Sequence, residues 1–174
     1  RLHKQNIAWT TLALYRLLKF SVYNPLLDRM GCAHFRSAFT GGHPISPDVI
    51  GFFRAIGLNL KQCYGLTESC GIFQIQPDDE VKLETVGTPL PRTEVRLAED
   101  QEVLVKSEAN FSGYYNDYKS TEGAFESGWL KTGDAGYIDD DGHLLIIGRK
   151  EDNIRNKSGE AFSPDFIESR LKFS

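Results

Sequence analysis

The chain has 174 residues, 40% of them hydrophobic and 25% charged, a globular composition that excludes extended disorder. Its formal net charge of -4 excludes a surface devoted to the nucleic-acid backbone, so any phosphate it handles binds at a local site. Cys32, Cys63 and Cys70 lack the close Cys/His pairs of a tetrahedral zinc site and read as reduced thiols in a cytosolic setting.

The run IAWTTLALYRLLKFSVYNPLL, Ile7 to Leu27, is long enough to raise a membrane span. Arg16 and Lys19 near its middle make insertion costly and Pro25 ends a helix, so the expectation is a buried or interfacial helix. Ser46-Pro47-Asp48 then supplies an N-cap hydroxyl, a proline at the first helical position and an acid in the first turn. Val49, Ile50, Phe53 and Ile56 follow at helical spacing, and Gly57 stops that helix. Beyond it Leu58, Leu60, Gln62 and Tyr64 alternate with Asn59, Lys61 and Cys63, which predicts a strand delivering the chain to Gly65. YGLTES, Tyr64 to Ser69, thus begins at a strand's C-terminal end, where ligands collect in open α/β sheets.

From Thr85 onward VRLA, EVLVKS and GYIDDDGHLLII predict short strands of a small, mostly β subdomain, with a hairpin turn at Asp141-Gly142. Gly148 to Phe162 is charged and glycine-punctuated, as in an exposed linker or moving segment. A second Ser-Pro-Asp, at Ser163 to Asp165, opens another helix with Phe166, Ile167 and Leu171.

Several stretches carry chemistry. In TGGHPIS, Thr40 to Ser46, adjacent glycines let backbone approach a flat ligand, although a plain strand-to-helix turn explains them too. YGLTES offers an aromatic face, a hydroxyl for a phosphate oxygen and a carboxylate for a hard cation, which together suit a nucleotide. A turn with a buried Tyr64 and a capping Thr-Glu pair is the equal alternative. Asp134 is expected in a glycine-bounded turn between strand segments, as a ribose ligand or as a solvated turn aspartate. Asp139 to Asp141 lack calcium-loop spacing and read as a solvated hairpin.

Taken in order, the glycine pair with proline, YGLTES, GWLKTGDAG and GRKED resemble the adenylate-forming enzymes: acyl-CoA synthetases, luciferases and peptide-synthetase adenylation domains. NLKQCYGLTES, VGTPLP and FSPDFIESRLKFS are most similar to a prokaryotic long-chain fatty acyl-CoA synthetase. The resemblance implies an α/β fold in three parts. Residues 1–84 would be an α/β segment of the large N-terminal AMP-binding domain, 85–148 a small β-barrel-like subdomain, and 149–174 the hinge and start of a small C-terminal α+β domain.

It further implies that Gly41, Gly42 and His43 line the adenine side, where the family more often has a small residue in place of His43. Tyr64 would stack on the ring with Gly65 in the same nucleotide-binding stretch, Thr67 would bind the α-phosphate, and Glu68 would hold magnesium, the last two being catalytic. Asp134 would grip the ribose hydroxyls beside the forked donor of Arg149. Glu151 stands at the hinge, where the family has Asp or Lys, and Lys157 to Glu160 resembles the loop that serves the thioester step. The implied reaction joins a fatty acid to coenzyme A at the expense of ATP, through an acyl-adenylate and with AMP as product. No nucleic-acid partner is implied, the oligomeric state stays open, and the location is cytoplasmic with a peripheral contact on the inner membrane face left open.

The phosphate-cradling loop and the adenylation lysine of the family do not occur in the chain, which is therefore expected to be an inactive piece of a larger enzyme. Another adenylate-forming ligase, or a non-catalytic nucleotide-binding relative, are the alternative readings.

Overall fold

The structure is a computed structural model that describes residues 8–43, 45–152, 154–155 and 161–162. The apolar N-terminal run forms α1 (Trp9–Leu18), a π-helical turn (Lys19–Tyr23) and α2 (Asn24–Arg29). Pro25 does not end helical structure as the sequence predicts. It stands at the junction where the π-helical turn passes without a break into α2, and the altered bonding of that turn accommodates its missing N–H. Of the expected buried or interfacial helix, the buried alternative fails over α1, none of whose residues is buried; Trp9 is 79% exposed, and Phe20 of the π-helical turn 80%. Among the described residues of this run Leu27 alone is buried, in a core with Ile50, Ile56, Leu58 and Leu60. Among the described residues no helix is long and apolar enough to cross a membrane.

β1 (Ala38–Thr40) leads into α3 (Pro47–Ile56), whose ends follow the sequence reading. Ser46 Oγ accepts the Asp48 amide at 3.3 Å, Pro47 takes the first turn, and Gly57 closes the helix at φ 110. β2 (Leu60–Leu66) returns parallel to β1, then β3 (Gly71–Ile75) and β4 (Thr88–Pro89) extend the sheet antiparallel in the order β1-β2-β3-β4. β2 is buried from Leu60 through Cys63 rather than on alternate residues. Lys61 tolerates this because its ammonium reaches Asp78 at 2.5 Å and lies 5.4 Å from the Phe39 ring centroid.

β5 (Thr93–Leu97), β6 (Glu102–Ser107), α4 (Tyr118–Ala124), β7 (Phe125–Glu126), β8 (Trp129–Ile138) and β9 (Leu144–Arg149) complete the fold. Their antiparallel sheet runs β5-β6-β8-β7, with β9 on the remaining stretch of β8. The sheets share cores in which Phe73 meets Val105 and Leu130, and Val86 meets Val103 and Leu144. Each such side chain contributes about 1.5–3 kcal/mol by leaving water.

The β8–β9 hairpin turns at Asp141-Gly142 with Gly142 at φ 82, as predicted. Its carboxylates are not simply solvated: Lys82 Nζ reaches Asp139 Oδ2 at 2.5 Å and Asp141 Oδ2 at 2.7 Å. Next to them His143 is fully buried, its Nδ1 3.1 Å from Thr85 Oγ1. Beyond β9 the expected linker is exposed through Asp152, yet it also contains a ladder, β10 (Ile154–Arg155) against antiparallel β11 (Ala161–Phe162). The helix expected after Ser163, the loop Lys157 to Glu160, and Pro44 lie outside the described residues.

Candidate functional site

The site grows from the end of β2. Pairing with β3 shifts register between Tyr64 and Gly65, and a Cβ at Gly65 would lie 2.0 Å from the Gly71 carbonyl oxygen. Glycine therefore permits the close approach of the two strands here. The strand runs on to Leu66, one residue past the predicted end, and a 3₁₀ turn (Thr67–Ser69) follows. Ser69 Oγ accepts the Leu66 amide at 3.0 Å and pins this turn. Thr67 is left exposed and Glu68 half-buried.

Glu68 is held from a second direction. Its carbonyl accepts the Phe111 amide at 2.7 Å and its Oε1 accepts the Tyr114 hydroxyl at 2.8 Å. Tyr114 was not singled out from sequence, because nothing local links it to a residue 46 positions earlier.

Tyr64 packs edge-on against Phe73, ring centroids 5.0 Å apart, and its hydroxyl donates to Asp134 Oδ2 at 2.5 Å. Asp134 is only 7% exposed and sits within β8, not in a turn. The glycines flanking it serve a β-bulge instead. Glu102 pairs with Ala135 and Leu104 with Lys131, so Thr132, Gly133 and Asp134 stand opposite Val103, with Gly133 at φ 72. On the other side Asp134 pairs in register with Arg149, whose Nε lies 3.3 Å from Asp134 Oδ1. Arg149 Nη1 donates to the Thr132 carbonyl at 3.1 Å.

Burial holds the Asp134 carboxyl above the usual aspartate range, with the Tyr64 hydroxyl and Arg149 working against that rise. The same burial, then the Asp134 charge, pushes the Tyr64 phenol far above its ordinary value, so it is a fixed donor. The structure thus joins Tyr64, Asp134 and Arg149 directly, with Thr67 and Glu68 on the next turn.

Gly41 lies alongside this group: a Cβ there would fall 2.9 Å from the carbonyl oxygen of Cys63, the neighbour of Tyr64. Gly42 adopts φ 87, and His43 is exposed. Glu151 is exposed in the turn after Arg149.

Two more charged residues belong to the surroundings and were not picked out from sequence. Glu102, 6% exposed, accepts the Gly133 amide at 3.0 Å and Lys150 Nζ at 2.7 Å. Lys150 also pairs with Asp100, and the two carboxylates, Asp100 foremost, raise its pKa. The opening Glu of EVLVKS carries no local mark of burial, since its partners come from β8 and from beyond β9.

Chemically, a fixed buried carboxylate beside a guanidinium suits a pair of vicinal hydroxyls. Among the described residues no group of three or more His, Cys, Asp and Glu converges. A divalent ion here would rest on the single carboxylate of Glu68, an arrangement that suits magnesium completed by phosphate oxygens and water.

The family described as AMP-binding enzyme matches residues 4–115. The long-chain-fatty-acid–CoA ligase FadD15 of Mycobacterium bovis is 38% identical over 151 residues, covering 87% of this chain and 25% of its own length. A 2-succinylbenzoate–CoA ligase of Listeria monocytogenes is 35% identical over 166 residues, 93% of this chain and 34% of its own. Among solved structures, the o-succinylbenzoate coenzyme A synthetase (MenE) of Bacillus subtilis, in complex with ATP and magnesium ion, matches with a TM-score of 0.71 and 32% identity. That match covers 78% of this chain and 31% of the other. The chain thus spans between a quarter and about a third of the length of these relatives.

Proposed function

Since the chain belongs to the AMP-binding enzyme family and has the α/β, curled-sheet architecture of the N-terminal domain of adenylate-forming enzymes, we propose that it carries the nucleotide site of an ATP-dependent ligase. That ligase activates a carboxylate as its acyl-adenylate and passes the acyl group to coenzyme A. The observation that carries the reading is Asp134, a buried carboxylate set at a β-bulge between the Tyr64 hydroxyl and Arg149.

In this reading Asp134 accepts the ribose hydroxyls and Arg149 assists it. Tyr64, tied to Asp134 by its hydroxyl, presents its ring to the adenine that adjoins that ribose. Gly41, Gly42 and His43 line the same side, and Gly65 lets β2 bend toward the turn that bears the phosphate ligands. Thr67 donates its hydroxyl to the α-phosphate, and Glu68, oriented by Tyr114, is the ligand for magnesium. Magnesium, when bound, supplies neutralisation of charge on the phosphates. The residues of this chain contribute alignment: they hold the α-phosphate where an incoming carboxylate oxygen attacks in line. Glu151, exposed beyond the last strand of the sheet, is the pivot about which a following domain turns between the two half-reactions.

The acid proposed is a long-chain fatty acid, supported by the likeness to FadD15. A second reading, an aromatic acid, has the support of the 2-succinylbenzoate–CoA ligase, which aligns with still more of the chain. The location proposed is cytoplasmic, with the exposed apolar side chains of α1, Trp9 and Leu17 among them, in peripheral contact with a bilayer.

The test is acid-dependent exchange of labelled pyrophosphate into ATP by a full-length protein carrying this chain, over a series of fatty acids and 2-succinylbenzoate, with Glu68→Ala as control. Exchange that needs one of these acids and collapses in the variant supports the reading and selects the acid. Folded protein with no exchange for any acid overturns it.

A further inference from the structure

The carboxylate assigned to the ribose is itself set in place by a second carboxylate. Glu102 is buried and commits both oxygens, Oε1 to the Gly133 amide at 3.0 Å and Oε2 to Lys150 Nζ at 2.7 Å. Gly133 is the positive-φ residue of the bulge, and Asp134 follows it directly. An acceptor that fixes the Gly133 amide therefore fixes the direction in which the Asp134 side chain leaves the strand. The next peptide unit, which joins Gly133 to Asp134, is held as well, for the Lys150 amide donates to the Gly133 carbonyl at 2.9 Å. Lys150 adjoins Arg149, the cation on Asp134, and its ammonium bridges Glu102 to Asp100 ahead of β6. Burying the Glu102 carboxylate carries a desolvation cost that a plain sheet core avoids with apolar residues. Here that carboxylate and its lysine stand at the irregular step of β8 against β6, the step that presents Asp134.

We propose that Glu102 and Lys150 are positioning residues for nucleotide binding: together they hold the Gly133 bulge so that Asp134 meets the ribose hydroxyls of an adenine nucleotide. This rests on the reading of Asp134 given above, and the test separates the two.

AMP and 2′,3′-dideoxy-AMP are titrated calorimetrically into the full chain, unmodified and as Asp134→Ala, Glu102→Ala, Glu102→Gln and Lys150→Met, with circular dichroism and thermal melts reporting folding. The unmodified chain should prefer AMP by about tenfold or more, the scale of hydrogen bonds to one charged group. Glu102→Ala and Lys150→Met should bring that preference down to the level of Asp134→Ala, and the double variant Glu102→Ala/Asp134→Ala should lose nothing further. Glu102→Gln keeps an oxygen for the Gly133 amide and should recover part of the preference.

A merely structural role for the pair predicts the opposite pattern, in which both nucleotides weaken together and the preference survives; that result overturns the proposal. No preference, or no AMP binding, in the unmodified chain refutes the ribose reading of Asp134 and this inference with it. If Glu102→Ala fails to fold, Lys150→Met makes the same comparison, because its side chain is 39% exposed and its loss leaves the core packing in place.

Discussion

Replacing Tyr64 by Phe removes the hydroxyl that Asp134 Oδ2 accepts at 2.5 Å while keeping the ring against Phe73. Arg149 remains 3.3 Å from the other oxygen, but its side chain is 58% exposed and its attraction is screened by water. A hydrogen bond to a charged acceptor contributes about 1.5–3 kcal/mol, and one between neutral groups about 0.5–1.5 kcal/mol. Which value applies depends on the protonation of Asp134, so the cost of the substitution depends on pH.

Burial raises the Asp134 pKa above the unfolded value of 3.8. The stability it contributes is therefore full below 3.8 and is lost as pH rises through the folded-state value. The Tyr64 hydroxyl favours the ionised form and limits that loss, so Tyr64→Phe enlarges it. The expected destabilisation grows from about 1 kcal/mol near pH 4 to about 2–3 kcal/mol near pH 8. At the upper end this lowers the melting temperature by roughly 4–12 °C for a chain of this size. Urea unfolding followed by tryptophan fluorescence at both pH values, with an unchanged m-value, measures it. A cost that is no larger on the alkaline side, or below about 0.5 kcal/mol at both, would refute the coupling of Tyr64 to an ionisable buried Asp134.

Three further outcomes are expected. Asp134→Asn should lose about tenfold or more in AMP affinity by calorimetry; its melting temperature should not fall at neutral pH, and should gain on the unmodified chain as pH rises above 3.8, because a buried charge has been removed. Gly65→Ala places a Cβ 2.0 Å from the Gly71 carbonyl oxygen and should destabilise by about 2 kcal/mol or more in denaturant titration, with loss of AMP binding as the Thr67–Ser69 turn shifts. Leu130→Ala empties a fully buried position between the sheets and should cost about 2–5 kcal/mol without altering the preference of the remaining folded protein for AMP over its dideoxy analogue.

Local chemistry was legible in the residues themselves. The start of α3 at Ser46-Pro47-Asp48 and its stop at Gly57 need only their neighbours, as does the hairpin turn at Asp141-Gly142. The groups that make up the candidate site were also named from sequence, Tyr64, Thr67, Glu68 and Asp134 from the chemistry of their side chains with plainer readings open, and Arg149 from the family resemblance.

Their arrangement was not legible. Thr132-Gly133-Asp134 reads as a turn and becomes a bulge only because β6 and β9 pair on either side of it. Lys61 and Glu102 look like surface charges until Asp78 and Lys150 arrive to meet them, and the apolar residues of α1 look like core although among the described residues no packing partner buries them. Sequence alone determined the two ends of α3, the hairpin turn at Asp141-Gly142 and which reactive groups the chain carries. Tertiary structure decided which of those groups meet. Tyr64 reaches Asp134 across 70 positions because sheet register and the shared core bring them together, and register is a property of paired strands that no single segment contains.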